Sequence, residues 1–298
     1  MGEVLVETDD GVRLSARGGE NDADATILLI PDWAFSSAGQ APLAAALEGH
    51  GLTVLRYDPR GTGRSDRPEV SYDLARQARD ALHVLDALCP EGAVHVVGEG
   101  YGGLVALAMQ DAAPERVASL VLLAPVVPGS LTAVQHGVME QAVEDWRGAV
   151  DLIASSAAVT LNPQELARLG RDIGHTTRAA ALGQLAALDD PESLPGGRRT
   201  TCAVLLVSGD YDGWTTRAAI RNGLLTVLPP AMWTVLPEVG RRVGTEATNV
   251  VAGRIADWIR HAEEPEVEER DEQQNPDDAP PNDPAEPEEA ATHGGMPA

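Results

Sequence analysis

Short apolar runs alternate along this chain with stretches of helical periodicity, and that alternation is the strongest constraint on its fold. Ala25 to Ile30, Leu52 to Tyr57, Ala93 to Val97 and Val117 to Leu123 are nearly continuous apolar runs, the pattern of strands covered on both faces. Between them, Gln40–Glu48, Tyr72–Leu88 and Gly102–Asp111 space their apolar residues as amphipathic helices do. Strand, helix, strand in this order predicts a mostly parallel sheet with helices on both faces. Ahead of it, Val4–Thr8 and Val12–Ser15 flank Asp9-Asp10-Gly11 and read as an antiparallel hairpin. From Val126 to Thr201 the rhythm breaks into helical pattern, with helices expected at Leu131–Ile153 and Pro163–Leu188. That span is far longer than an ordinary connection, so it reads as an inserted helical cap. The rhythm resumes with a strand at Ala203–Val207, a helix at Thr216–Val227, a strand at Met232–Leu236 and a helix at Thr245–Ala262. The expected organisation is a core of residues 1–125 and 202–262, a cap of 126–201 and a tail of 263–298.

The tail differs in composition from everything before it. Glu263 to Ala298 holds thirteen acids and a single base, Arg270, within a chain of net charge -24. Rich in Glu, Asp and Pro and without aromatics, it cannot bury enough apolar surface to offset its ordering entropy and is expected to be disordered. Solubility or spacing is its ordinary role, and docking to a protein partner is the sharper one. So acidic a surface disfavours nucleic acid and anionic membranes as partners. All 22 basic residues are arginine, which with the abundant alanine points to codon bias in a high-GC bacterium. Cys89 and Cys202 form no CxxC or metal-ligand pattern, so no disulfide framework, metal or cofactor is expected. The N-terminus has no basic start or apolar segment of the secretory kind, and a cytoplasmic location is expected.

Val96-Val97-Gly98-Glu99-Gly100-Tyr101-Gly102-Gly103 follows a strand and opens a helix. Its spacing is that of the nucleophile elbow, G-x-S-x-G, with Gly100 where the serine would stand. Three further segments occur in order around it. Asp58-Pro59-Arg60-Gly61-Thr62-Gly63-Arg64-Ser65 has the form D-x-R-G-x-G-x-S. Ser208-Gly209-Asp210-Tyr211-Asp212 follows a later strand, and Pro237-Glu238-Val239-Gly240-Arg241 follows the last. On these residues, Val4 to Ala262 resembles the α/β-hydrolase superfamily, in the branch with a helical cap. The resemblance implies an eight-stranded, mostly parallel sheet and a pocket between sheet and cap.

The resemblance also assigns positions. Gly100 takes the place of the nucleophile, Asp212 that of the retained acid, and Arg241 that of the histidine. Glycine cannot attack a carbonyl, and arginine stays protonated and cannot act as a base. Pro31-Asp32-Trp33 stands where the oxyanion-hole motif is expected. The N–H groups of Trp33 and Tyr101 are the implied donors to an anion or a polarised carbonyl. Glu99 is expected to be a buried hydrogen-bond partner, and Asp212 and Arg241 to form an ion pair where an Asp–His pair would sit. Of the seven histidines, His136 and His175 in the cap are the ones placed to face a pocket. The Gly98, Gly100, Gly103 spacing also fits a dinucleotide fingerprint, but it lies on the wrong strand for that use.

These substitutions lead to an expected non-hydrolytic pseudoenzyme, a sensor, carrier or scaffold that binds a small, largely apolar organic molecule. Two alternatives stay open. One is a cyclase, lyase or isomerase that works by positioning and electrostatics. The other is a weak ester or epoxide-type hydrolase in which Asp212 orients water.

Overall fold

The Asp-Gly turn folds β1 (Glu3–Glu7) back on β2 (Arg13–Arg17), with Glu3 opposite Arg17 and Glu7 opposite Arg13. The computed structural model describes residues 2–18, 25–130, 132–189, 200–228 and 230–263. The remaining strands are β3 (Thr26–Ile30), β4 (Thr53–Tyr57), β5 (Val94–Glu99), β6 (Val117–Leu123), β7 (Ala203–Gly209) and β8 (Met232–Leu236). Together they make an eight-stranded sheet in the order β1-β2-β4-β3-β5-β6-β7-β8. The hairpin joins β4 antiparallel, and every pairing from β4 to β8 is parallel.

Side chains alternate across the strands and so feed two apolar layers. Leu28, Ile30, Val96, Leu120 and Leu122 face the layer that contains α2 (Leu74–Leu88) and α3 (Tyr101–Ala112). Ile27, Leu29, Val97, Val121 and Leu123 face the layer that contains α1 (Ala41–Gly49) and α11 (Thr248–Glu263). The chain's direction of travel across the sheet reverses between β3 and β5, which are neighbours. The loops leaving the carboxyl ends of those two strands therefore meet at a crevice, the place where open α/β sheets put their sites.

Between β6 and β7 the structure places α4 (Ala133–Glu144), α5 (Trp146–Ala157), α6 (Pro163–Ile173) and α7 (Arg178–Asp189). The two long helices expected there are each broken in two. Asp145 is extended (φ -141°, ψ 90°), ending α4 and starting α5. Gly174 to Thr177 separates α6 from α7. Two capping boxes fix the starts. Thr132 pairs with Gln135 at α4, and Asn162 with Glu165 at α6. The Thr216–Val227 helix is also interrupted, by a π-turn at Ile220–Leu224 between α8 (Arg217–Ala219) and α9 (Leu225–Val227). The last helix is split at Ala247 into α10 (Val243–Glu246) and α11. The acidic tail beyond Glu263 lies outside the described residues. Among the described residues no helix is long and apolar enough to cross a membrane.

The Asp58–Ser65 loop is held by its own polar residues. Asp58 Oδ1 accepts from Ser37 N (2.9 Å) and Ser37 Oγ (2.7 Å), and its Oδ2 accepts from Arg64 N (2.9 Å). Arg60 is fully buried and bridges Asp80 (2.6 Å) and Asp10 (2.9 Å). These paired, hydrogen-bonded charges fasten the loop to α2 and to the hairpin turn. Gly61 sits at the tip with φ +75°, and a Cβ there would lie 2.5 Å from Ala180 Cβ and 2.7 Å from Tyr72 Oη. Gly61→Ala therefore combines overpacking with backbone strain and should cost about 1–3 kcal/mol. Urea unfolding measures this; a variant as stable as the parent would refute the packing described.

Candidate active site

The sequence between β5 and α3 forms the sharp strand-to-helix turn that its glycine spacing predicts. Gly100 has φ 54° and ψ -115°, a conformation that glycine adopts freely and other residues only under strain. Its N–H donates to Leu123 O (2.8 Å), and its carbonyl accepts from Gly103 N (3.1 Å). A Cβ on Gly100 would lie 1.9 Å from Asp32 Oδ1 and 2.4 Å from Arg241 Nη2. The place of an elbow side chain is thus already taken by a carboxylate from the loop after β3.

Four hydrogen bonds hold that carboxylate. Asp32 Oδ1 accepts from Trp33 N (2.7 Å), Tyr101 N (2.8 Å) and Arg241 Nη2 (3.1 Å), while Oδ2 accepts from Arg241 Nε (3.0 Å). The two N–H groups expected to hold an oxyanion therefore converge on one oxygen of Asp32. The guanidinium fork of Arg241 grips the same group in bidentate fashion. Arg241 and Asp32 are both buried, at 2% and 5% exposure. Burial pulls the Arg241 pKa down, but Asp32 and Asp212 outweigh it and hold the guanidinium above its ordinary value.

Asp212, expected as Arg241's partner, is its second and more distant one, 3.8 Å from Nη1. The physical reason is local. Asp212 Oδ1 accepts from Trp214 N (2.8 Å) and Thr215 N (3.4 Å), so its carboxylate closes its own loop. Burial raises the Asp212 pKa, opposed by Arg241 and by those two N–H donors. Glu99 is buried beside Arg242, with Oε2 3.0 Å from Nη1. Burial raises the Glu99 pKa too, against the pull of Arg242. The Tyr101 hydroxyl turns away from the elbow and accepts from Gln77 Nε2 (2.9 Å), so only its backbone N–H belongs to the site.

Where the resemblance implies a pocket beside the elbow, indoles pack around Trp33. The Trp33 ring centroid lies 6.2 Å from that of Trp146 and 6.2 Å from that of Trp214. Arg241 stacks on Trp214 at 4.9 Å. Trp33 Nε1 donates to Ala181 O (2.9 Å), which ties α7 to the site, and Trp146 Nε1 donates to Thr176 O (3.0 Å) within the helices between β6 and β7. The histidines expected to face a pocket sit elsewhere. His136 lines a surface groove with Met139 and Leu182. His175 lines a cleft with Arg168 and Asp172. Among the described residues no group of three or more His, Cys, Asp or Glu side chains could hold a metal ion.

Sequence reasoning missed Asp32 as a site residue, although it stood in the altered Pro31-Asp32-Trp33 motif. An acid next to an expected anion-binding N–H was the available signal. Trp146, Trp214 and Arg242 carried no such signal, because only the fold brings them to the elbow.

The family model for the α/β-hydrolase fold matches residues 25–187. The chain belongs to that family. It is 42% identical over 106 residues to a Variovorax paradoxus protein provisionally named carbamate hydrolase RutD, covering 35% of this chain and 39% of that one. It is 37% identical over 120 residues to rhodomycin D methylesterase DauP of Streptomyces sp. strain C5, covering 39% of this chain and 40% of that one. The chain thus aligns with less than half the length of these relatives. Among solved structures, an enol-lactonase from Burkholderia xenovorans LB400 superposes with a TM-score of 0.74 over 86% of this chain and 100% of that one. At 22% identity it shares the fold.

These relatives correct the expectation of a non-catalytic sensor, carrier or scaffold, since the names they carry are those of hydrolases. The physical ground for that expectation was an elbow emptied of its reactive group. The elbow is not empty of ionisable groups, because Asp32 stands at the position that Gly100 vacates.

Asp32 and residue 100 are therefore mutually exclusive in size. Gly100→Ser should destabilise the chain by about 1–3 kcal/mol through the clash with Asp32. In an Asp32→Gly background the clash is gone and the same change should cost less, a coupling of about 0.5–3 kcal/mol. Urea unfolding of the four chains of this double-mutant cycle reads the coupling directly. Equal costs in both backgrounds would show that Asp32 does not occupy the serine's place.

Proposed function

We propose that the chain hydrolyses a small ester or carbamate-type substrate through water, with carboxylates replacing the serine–histidine relay. The observation that carries this reading is the Asp32 carboxylate, held at the elbow by Trp33 N, Tyr101 N and Arg241. Asp32 acts as general base. It takes a proton from a water molecule as that water's oxygen attacks the carbonyl carbon. The negative charge then moves from Asp32 to the carbonyl oxygen. The donors that held the carboxylate are thereby released to hold the new oxyanion. Asp212 supplies the second proton. Its burial favours the protonated form, and it lies across Arg241 from Asp32. It protonates the leaving oxygen or nitrogen as the bond to the carbonyl carbon breaks. The proton on Asp32 then returns to Asp212, and the sum is substrate plus water to acid plus alcohol or amine. Two carboxylates in different surroundings are a common basis of such a division of roles.

Hydrolysis of ethyl butyrate, whose alkoxide leaves only with a proton, followed by pH-stat across a range of pH, tests this. The parent chain should turn over above the buffer rate. Asp32→Asn should lose about 100-fold or more, the scale of a missing general base. The rate should fall as pH rises through the Asp212 pKa, because the acid form is then lost, and Asp212→Asn should remove that limb. Circular dichroism on each variant separates lost chemistry from lost fold. A correctly folded Asp32→Asn chain with the parent's rate would overturn the assignment.

A further inference from the structure

The turn after β8 carries Arg241 between two backbone N–H groups that a single side chain holds. Glu246 ends α10, and its carboxylate folds back over the start of that helix. Oε1 accepts from Arg242 N (3.2 Å), and Oε2 accepts from Gly240 N (3.3 Å). Arg242 is the N-cap of α10 and makes no capping bond with its own side chain. Glu246 reaches back to the N–H of that residue, as the acid of a capping box does. Val243 N donates to Arg241 O (2.9 Å), and Glu246 N donates to Arg242 O (2.7 Å). The backbone is thus held before, at and after Arg241, which sets the direction in which its side chain leaves the turn.

The same carboxylate reaches a second segment. Glu246 Oε2 also accepts from Val159 N (3.0 Å), Thr160 N (2.9 Å) and Thr160 Oγ1 (2.9 Å). Those two residues lie in the link between α5 and α6. Gly240 lets the link and the turn touch, since a Cβ there would lie 2.9 Å from Val159 Cγ2 and 2.8 Å from Glu246 Oε1. At its other end, α5 sets Trp146 against Trp33, whose N–H holds Asp32. Hydrogen bonds from N–H groups to a carboxylate are stronger than those between neutral partners. Here they join the link to the turn that aims Arg241. A helix cap alone requires none of the three bonds to the link.

We propose that Glu246 is a positioning residue, which sets the Arg241 guanidinium against Asp32 in register with the link between α5 and α6. It acts through the backbone at Gly240 and Arg242. The Arg241 fork meets Asp32 at 3.0 and 3.1 Å, and a misplacement of about 1 Å in such a constellation costs about 100-fold in rate. The effect on rate rests on the hydrolytic reading of Asp32, whereas the setting of Arg241 does not.

Glu246→Gln tests this, because it keeps one acceptor oxygen and turns an amide NH2 toward donors that the other oxygen had held. With ethyl butyrate it should lower kcat about tenfold or more and leave KM within about twofold, since the base is misaimed while the binding surface stands. Urea unfolding of a double-mutant cycle with Asp32→Asn reads the positioning without any activity. Glu246→Gln should raise the unfolding constant about threefold or more beyond its effect in the Asp32→Asn background, where the grip it serves is already weakened. A helix cap alone gives equal effects in both backgrounds, and repulsion between two acids gives the opposite sign. Equal or reversed effects, an unchanged kcat, or a rise in KM alone would overturn the proposal. A parent chain that leaves ethyl butyrate intact would overturn the hydrolytic reading instead, and the urea cycle then decides the role of Glu246.

Discussion

The contact on which the rest of the site depends is the ion pair between Asp32 and Arg241. Neither residue is solvated, and each would carry a heavy desolvation cost alone. Together they meet in bidentate geometry, and Trp33 N and Tyr101 N supply further donors to the same carboxylate. The pair dictates residue 100, because any Cβ there would strike both partners. Three departures from the hydrolase pattern, at Asp32, Gly100 and Arg241, are thus one structural event. A carboxylate on the neighbouring loop fills the place of an elbow side chain, a cation holds it, and glycine at position 100 leaves it room.

The helices between β6 and β7 are fastened to this arrangement at several points. Trp33 Nε1 donates to Ala181 O, Thr176 Oγ1 donates to Ala34 O (2.8 Å), and Asp172 accepts from Ser36. All three core partners lie in the loop that begins with Asp32. Ala34 has φ 65°, unusual for a residue other than glycine, so this loop is held in a strained shape by what surrounds it. Access to Asp32 is therefore a question of how those bonds give way together.

The fold was legible because its signals are local. Apolar runs and helical spacing mark elements, and the Asp-Gly turn marks the hairpin. Helix breaks were harder to read. Asp145 and Ala247 interrupt helices without glycine or proline, through backbone angles that tertiary packing sets. At the site, Gly100, Trp33 and Tyr101 were placed by their position around the elbow, and their geometry follows from it. The expected pair of Arg241 with Asp212 forms at 3.8 Å, but the closer partner, Asp32 at 3.0 Å, was not foreseen because sequence does not give distance. Asp212 carries the family position, but one of its oxygens is held by its own loop, whereas Asp32, at the exit of β3, turns both oxygens to the Arg241 fork.

Arg241 and Arg242 are adjacent in sequence but serve opposite sides of the same strand ends. Arg241 faces the elbow carboxylate, whereas Arg242 lies between Glu99, Phe35 and the back of Gly39. The separation is not complete, since Arg242 Nη1 stands 3.9 Å from Asp32 Oδ2. Two acids thus share two arginines in a buried strip, and none of the four is solvated. In such a strip the charge on one member sets the cost of changing another, because little water screens them.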